Sequence, residues 1–123
     1  MRTAGSANAL IGSDRVEGTA VYGEHGKRLG TIRRLMIEKL SGQVTYAVMT
    51  MAGPLGFGEE NFTIPWAKLS YDKGLGGYRT DITESDLHAA PSAARSSTAD
   101  WSDPAQEEEL HAYFRIPPYW RAL

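Results

Sequence analysis

The sequence predicts a mainly β fold, a small closed or partly open barrel followed by a helical tail. The chain has 123 residues, 41% of them hydrophobic and 23% charged, which is typical of one globular domain with a short appendage. Glycine accounts for 13 residues, about 11% against a usual value of about 7%. Most of these glycines separate short apolar segments within residues 18–80, a pattern that favours strands and turns over helices.

The first two predicted strands form a hairpin. Residues 19–22 are a short strand, and the glycines in the turn at residues 23–26 accept the positive φ that a tight turn requires. The next strand covers residues 28–39, where the alternation of apolar side chains breaks between Ile32 and Leu35. A bulge or bend at the two arginines that separate them would restore the inward register.

Three further strands are predicted downstream. Residues 41–42 form a turn into a strand at residues 43–51, where both odd and even positions are largely apolar. This strand is therefore expected to be central and covered on two faces. A short strand at residues 61–64 ends at Pro65, and a last one covers residues 76–80, which gives five or six strands in all.

Two helical segments follow the strands. Thr83 is a capping hydroxyl three residues before Asp86, and Pro91 ends this short helix. Residues 92–102 have no apolar period and are predicted to be a linker. Asp103, followed by a proline at the first helical position, then marks the start of a C-terminal helix.

The sequence therefore divides into four parts. We predict a flexible arm at residues 1–17, a barrel domain at residues 18–91, a linker at residues 92–102, and a C-terminal helix with an aromatic tail at residues 103–123. The N-terminus lacks the apolar stretch of a signal peptide, and no segment approaches the roughly 20 apolar residues of a membrane span. We expect a cytoplasmic protein without a membrane span.

Charge and cysteine content exclude several functions. Lys and Arg number 13 against 15 Asp and Glu, so the net charge of −2 provides little attraction for a phosphate backbone and argues against nucleic acid as the main partner. The absence of cysteine excludes disulfides, thiolate zinc sites and cysteine nucleophiles.

Candidate catalytic and ligand-binding residues are scattered. The histidines His25, His88 and His111 fall in a turn, a short helix and the C-terminal helix. Glu107 lies four residues before the last of them, but a metal site needs three or four ligands, so a solvated helical pair is the simpler interpretation. Glycines in residues 53–58 resemble a phosphate-binding loop, but a strand rather than a helix follows them. We predict no catalytic, cofactor-binding or metal-binding residue, and no enzyme.

The C-terminal tail is the candidate interface. Each large apolar side chain withdrawn from water contributes roughly 1.5–3 kcal/mol, so the apolar residues of this segment should be buried against something. They could cover the chain's own barrel, or they could cross to a second copy or another partner. The residues concerned are Leu110, Tyr113, Phe114, Ile116, Tyr119 and Trp120.

Four segments in order carry a family resemblance. They are VYGEHGKRLG at residues 21–30 with a G-K-x-L/I-G element, the strand and G-x-V turn at residues 32–43, FTIPW at residues 62–66 with a V-x-V-P-W element, and LHAAP at residues 87–91 with an L-x-x-A-P close. Together, residues 18–91 resemble the PRC-barrel family, the module shared by the photosynthetic reaction-centre H subunit and the ribosome maturation factor. Glu38 and Leu40 depart from it, since the family's turn usually has an aspartate and a polar residue there.

The resemblance implies a structural and interaction module on a PRC-type barrel. We therefore expect a non-enzymatic protein-interaction or assembly module that binds a protein partner, without a cofactor. We also expect a homodimer, because exchange of the C-terminal helix between two copies would extend a small core with a self-complementary contact. The alternative is an adaptor that binds RNA or a small ligand through a polar patch around Arg28, Arg33 and Arg34.

Overall fold

Six strands form one sheet in the computed structural model, which describes residues 9–52, 58–95 and 103–118. The strands are β1 (Ala20–Tyr22), β2 (Arg28–Ile37), β3 (Val44–Ala52), β4 (Glu59–Pro65), β5 (Ser70–Asp72) and β6 (Gly77–Arg79). Their order across the sheet is β4-β3-β2-β1-β6-β5. Neighbouring strands are antiparallel except β1 and β6, which are parallel. The prediction of a mainly β fold is confirmed.

Short helices lie before and after the strands. They are α1 (Ser13–Val16), α2 (Glu84–His88), α3 (Ser92–Arg95) and α4 (Pro104–Phe114), and a 3-10 turn covers Trp66–Lys68. The predicted cap of α2 is present, because the Thr83 hydroxyl accepts from the Asp86 N–H while the Asp86 carboxylate accepts from the Thr83 N–H. Helices α3 and α4 both pack against β4.

A bulge in β2 confirms the predicted break in its pattern. Ile32 lies opposite Met49 and Arg34 lies opposite Val48, so Arg33 is an extra residue without a partner in the ladder. The extra residue restores the alternation, which leaves Ile32 fully buried and both arginines exposed.

The two outer strands of the sheet are connected through the 3-10 turn. In a flat sheet of six strands, β4 and β5 would lie about 24 Å apart at the usual strand spacing. The connection from Pro65 to Ser70 spans at most about 17 Å when extended. The sheet is therefore curved, but no ladder joins β4 to β5 in the described ranges. Closure into a barrel stays a prediction.

Strand β3 lies at the centre of the core. Tyr46, Ala47, Val48 and Met49 follow one another in sequence, and all four are buried. Because successive side chains point to opposite faces, this confirms that both faces of β3 are covered. One face of the strand reaches α4 through Tyr46.

Two segments that were expected to lack packing are ordered against the sheet. The predicted arm at residues 1–17 ends in α1, where Val16 is only 3% exposed and joins the core. The predicted linker at residues 92–102 begins with α3, where Ala93 and Ala94 are buried. In each case one or two small apolar side chains suffice to hold a single helical turn, which is too short to produce an apolar period in the sequence.

Gly30 provides a test of the packing between β2 and β3. A Cβ atom at this position would lie 2.5 Å from the Thr50 carbonyl oxygen and 3.0 Å from the Met49 Cγ. We expect Gly30→Ala to lower the free energy of unfolding by about 1–3 kcal/mol, measured by urea denaturation, because the backbone of β3 must move. Gly23→Ala is the control, since its nearest neighbour would be 3.7 Å away. Equal stability of the two variants would contradict this account.

Candidate functional site

A buried polar cluster joins α4 to the centre of the sheet. The Tyr46 hydroxyl lies 2.8 Å from Glu107 Oε1 and 2.6 Å from His111 Nε2. The other ring nitrogen of His111, Nδ1, lies 3.1 Å from the carbonyl oxygen of Ile116. Tyr46 is 2% exposed and His111 is 4% exposed, so the contact between them is buried, whereas the contacts with Glu107 and with the Ile116 carbonyl are half-buried.

The local sequence fixes the helix that carries half of this cluster. The Asp103 carboxylate caps α4 by accepting from the Ala105 N–H at 3.0 Å, with proline at the first helical position. The helix ends at Phe114, and the residue after it, Arg115, has a left-handed φ of 60°. Between these ends, Glu107 and His111 are four residues apart and share one helix face.

The expected solvated pair of Glu107 and His111 is therefore wrong. The histidine is buried, and the Tyr46 hydroxyl lies between the two side chains. The sequence spacing of the pair was visible, but its partner comes from a strand more than 60 residues earlier. Across residues 9–52, 58–95 and 103–118, no group of three or more His, Asp or Glu side chains could hold a metal ion.

The candidate interface residues of the tail fall into three groups. Leu110 and Phe114 are buried in the chain's own core. Tyr113 and Ile116 are half-buried against that core, and the Tyr113 hydroxyl donates to the Asp86 carbonyl at 2.6 Å. The remaining two, Tyr119 and Trp120, lie outside the described residues.

The arginines of the expected polar patch have local contacts. The Arg28 guanidinium donates to the Thr31 hydroxyl at 2.7 Å, and Arg33 forms an ion pair with Glu59 at 3.6 Å. Arg34 is exposed on the same strand. The Arg33 charge is thus partly balanced.

The glycine-rich segment that resembles a phosphate-binding loop lies mostly outside the described part of the chain, because residues 53–57 are not among the described ranges.

The turn between β2 and β3 displays an apolar side chain. Leu40 is 95% exposed and Ile37, at the end of β2, is 52% exposed. The Glu38 carboxylate accepts from the backbone N–H groups of Ser41 at 2.7 Å and Leu40 at 3.2 Å. The backbone bond from Ser41, followed by its side-chain bond and the Leu40 bond, lowers the pKa of Glu38. The turn that carries Leu40 is therefore held by an ionised carboxylate.

A cleft of about 310 Å³ lies between α2, the 3-10 turn and the end of α4. Three of its four charged side chains pair with protein groups, since Lys68 contacts Asp81 at 2.7 Å and the Asp86 carboxylate caps its own helix; the fourth is Arg115. Because most of the charges of the cleft are already paired, we base the functional argument on the exposed turn and on the polar cluster.

Comparison with known families decides what kind of domain this is. A model of the PRC-barrel domain matches residues 10–87, well over half of the chain. The chain belongs to the PRC-barrel family. The match confirms the resemblance carried by the four sequence segments and covers all six strands. A search of curated proteins finds no match.

The PRC-barrel match ends within α2, before α3 and α4. PRC-barrel domains generally mediate protein interactions. The contact of Tyr46 with His111 thus joins the family domain to a helix beyond the matched residues. No helix in the described ranges is long and apolar enough to cross a membrane.

Replacement of Tyr46 tests whether the cluster holds α4 in place. We expect Tyr46→Phe to lower the free energy of unfolding by about 1–3 kcal/mol, because the buried ring of His111 and the half-buried carboxylate of Glu107 lose the hydroxyl that they share. Urea denaturation measures the change. Tyr71→Phe, at an exposed tyrosine, is the matched control and should leave stability nearly unchanged. A Tyr46→Phe variant as stable as this control would mean that the hydroxyl contributes nothing.

Proposed function

We propose that this PRC-barrel protein is a non-enzymatic protein-interaction module that forms a homodimer. The observation that carries the proposal is the exposed Leu40 on a turn with its own hydrogen bonds. An apolar side chain of this size gains roughly 1.5–3 kcal/mol when a partner withdraws it from water. The family match supports an interaction function independently of this turn.

The order of the turn favours binding to a protein surface. Glu38 holds the backbone of Leu40 and Ser41, and Gly42 adopts the left-handed φ of 76° that the turn requires. A side chain presented by a preorganised turn loses less conformational entropy when it is bound. Ile37 extends the apolar surface toward the end of β2.

The tail provides a second surface for self-association. Leu110 and Phe114 are buried in the chain's own core, so they are not available for a contact between copies. The proposed contact uses the half-buried Tyr113 and Ile116, together with the residues that follow Pro118. Tyr119 and Trp120 belong to that following segment. We further propose that the curved sheet closes as a PRC-type barrel and presents the tail and the turn on one rigid frame.

An RNA or small-ligand adaptor has less support. Arg33 forms an ion pair with Glu59, so the charge of one arginine in the patch is partly compensated, and the Arg28 guanidinium already donates a hydrogen bond to the Thr31 hydroxyl. The exposed apolar turn instead favours a protein partner.

Sedimentation equilibrium tests the proposed self-association. We expect the full chain to be dimeric at high micromolar concentration, and Leu40→Ser to weaken the dimer at least tenfold because the turn loses its apolar contact. Leu10→Ser, at an equally exposed leucine, is the matched control. If Leu40→Ser stays dimeric while Ile116→Ser becomes monomeric, the tail is the interface. A full-length chain that is monomeric at every concentration would overturn the homodimer.

A further inference from the structure

We propose that the two surfaces of the homodimer bind each other, so that the Leu40 side chain of each copy enters a cleft at the end of α4 in the other copy. This inference rests on the proposed function, because it requires the chain to associate with itself. It goes further in two respects. It assigns the site on the second copy that receives Leu40, and it fixes the symmetry of the pair.

The cleft that receives Leu40 lies where α4 ends. Its volume is about 420 Å³, which leaves room for a branched aliphatic side chain. Apolar groups are accessible in it, since Ala112 and Pro117 are exposed and Ile116 is half-buried. We refer to it as the C-terminal cleft, and the residues that line it include Glu108, His111, Ala112, Arg115, Ile116 and Pro117.

The β2–β3 turn supplies an apolar side chain that its own chain leaves uncovered. Leu40 is 95% exposed, so it does not fill the C-terminal cleft of its own chain. Two backbone hydrogen bonds close the turn, from the Glu38 N–H to the Gln43 carbonyl at 2.8 Å and from the Gly42 N–H to the Glu38 carbonyl at 2.9 Å. Because this backbone is already ordered, Leu40 loses little conformational entropy when it enters the cleft of a second copy.

The charges beside Leu40 and in the cleft have opposite signs. Lys39 is exposed next to Leu40, and Glu108 is exposed at the C-terminal cleft. Neither side chain is in an ion pair with another residue of the ranges 9–52, 58–95 and 103–118. A turn that places Leu40 in the cleft of a second copy therefore brings Lys39 toward a carboxylate that has no cationic partner among these residues.

The cleft also carries a positive charge, and the turn has a counterpart for it. Arg115 is seven residues after Glu108, which separates the two charges by roughly 10 Å along the helix direction. On the turn, Glu38 precedes Lys39, so both signs are present there as well. The two surfaces are thus complementary in charge as well as in apolar character, which favours a second copy of this chain as the occupant.

The turn and the C-terminal cleft lie toward the same end of β3. The strand begins at Val44, directly after the turn, and Tyr46 follows about 7 Å farther along it. The Tyr46 hydroxyl contacts Nε2 of His111, which lines the cleft, at 2.6 Å. A second copy placed at this end of β3 therefore meets both surfaces at once.

This placement determines the symmetry of the pair. The turn and the cleft are different surfaces, so one contact alone would leave a free turn on one copy and a free cleft on the other. Because both surfaces lie at the same end of the strand, two such contacts form around a two-fold axis and use both turns and both clefts. Association then stops at two copies. Substitution of Leu40 or of Ile116 weakens the same contact.

The absence of cysteine allows the contact to be tested by disulfide cross-linking of the full chain. Leu40→Cys and Ala112→Cys are prepared separately, mixed, allowed to exchange subunits and incubated in a glutathione redox buffer. We expect a covalent pair that contains one copy of each variant, because a disulfide requires Cα atoms within about 7 Å of each other. Non-reducing electrophoresis and mass spectrometry measure the yield.

Ala105→Cys is the matched control for Ala112→Cys. Both alanines are exposed on α4, but they are about 10 Å apart along the helix. We expect the control to give at least fivefold less cross-linked product with Leu40→Cys. Equal yields from the two helix positions would contradict the inference, and so would cross-links that join only two copies of Leu40→Cys, because the turns would then meet each other. Either result in a dimeric chain leaves the homodimer standing, whereas a chain that is monomeric in sedimentation equilibrium removes both proposals.

Charge reversal provides a second test that needs no cysteine. We expect Lys39→Glu and Glu108→Lys each to weaken the dimer about threefold or more at low salt, because like charges then face each other across the contact. The double variant should return to within about threefold of the wild type, since it restores opposite charges. Glu109→Lys is the control, because it changes the net charge as Glu108→Lys does at a residue that does not line the cleft. A double variant as weak as the sum of its two changes would refute the inference.

Discussion

The burial of one hydroxyl group on the central strand constrains much of this structure. Strand β3 is covered on both faces, so the Tyr46 hydroxyl has to find its partners within the protein. A buried hydroxyl without a partner would cost about 1–3 kcal/mol. Glu107 and His111 supply the partners from one face of α4, and this fixes where the helix lies on the sheet. All buried side-chain nitrogen and oxygen atoms of the described residues have hydrogen-bond partners.

The sheet combines curvature with a rigid turn at one end. The extra residue Arg33 lets β2 change direction while it keeps Ile32 in the core, and the connection through the 3-10 turn keeps the outer strands close together. Beyond the end of β2, the Glu38 carboxylate organises a turn whose most prominent side chain is Leu40. The same frame therefore packs the core and presents an apolar side chain to solvent.

The family domain and the segment after it form one packed unit. The PRC-barrel match ends in α2, whereas Leu110 and Phe114 of α4 complete the hydrophobic core. A helix that is packed in this way cannot leave the domain without exposing apolar surface. The proposed interaction surface on the turn therefore belongs to the same folded unit as α4, and the cluster of Tyr46, Glu107 and His111 is a polar contact between the sheet and that helix.

The sequence alone determined the features that depend on neighbouring residues. Strand alternation and helix capping depend on residues only a few positions apart, so the sequence predicts them directly. This is how the turn glycines, the bulge at Arg33 and the helix caps at Thr83 and Asp103 were predicted. The strand β5 and helix α3 were not predicted, since each is too short to produce a period and is held by its packing. The role of His111 was also hidden. Spacing placed it beside Glu107 on a helix, but only the tertiary structure brought Tyr46, 65 residues away, between them and buried the Tyr46 hydroxyl with the His111 ring.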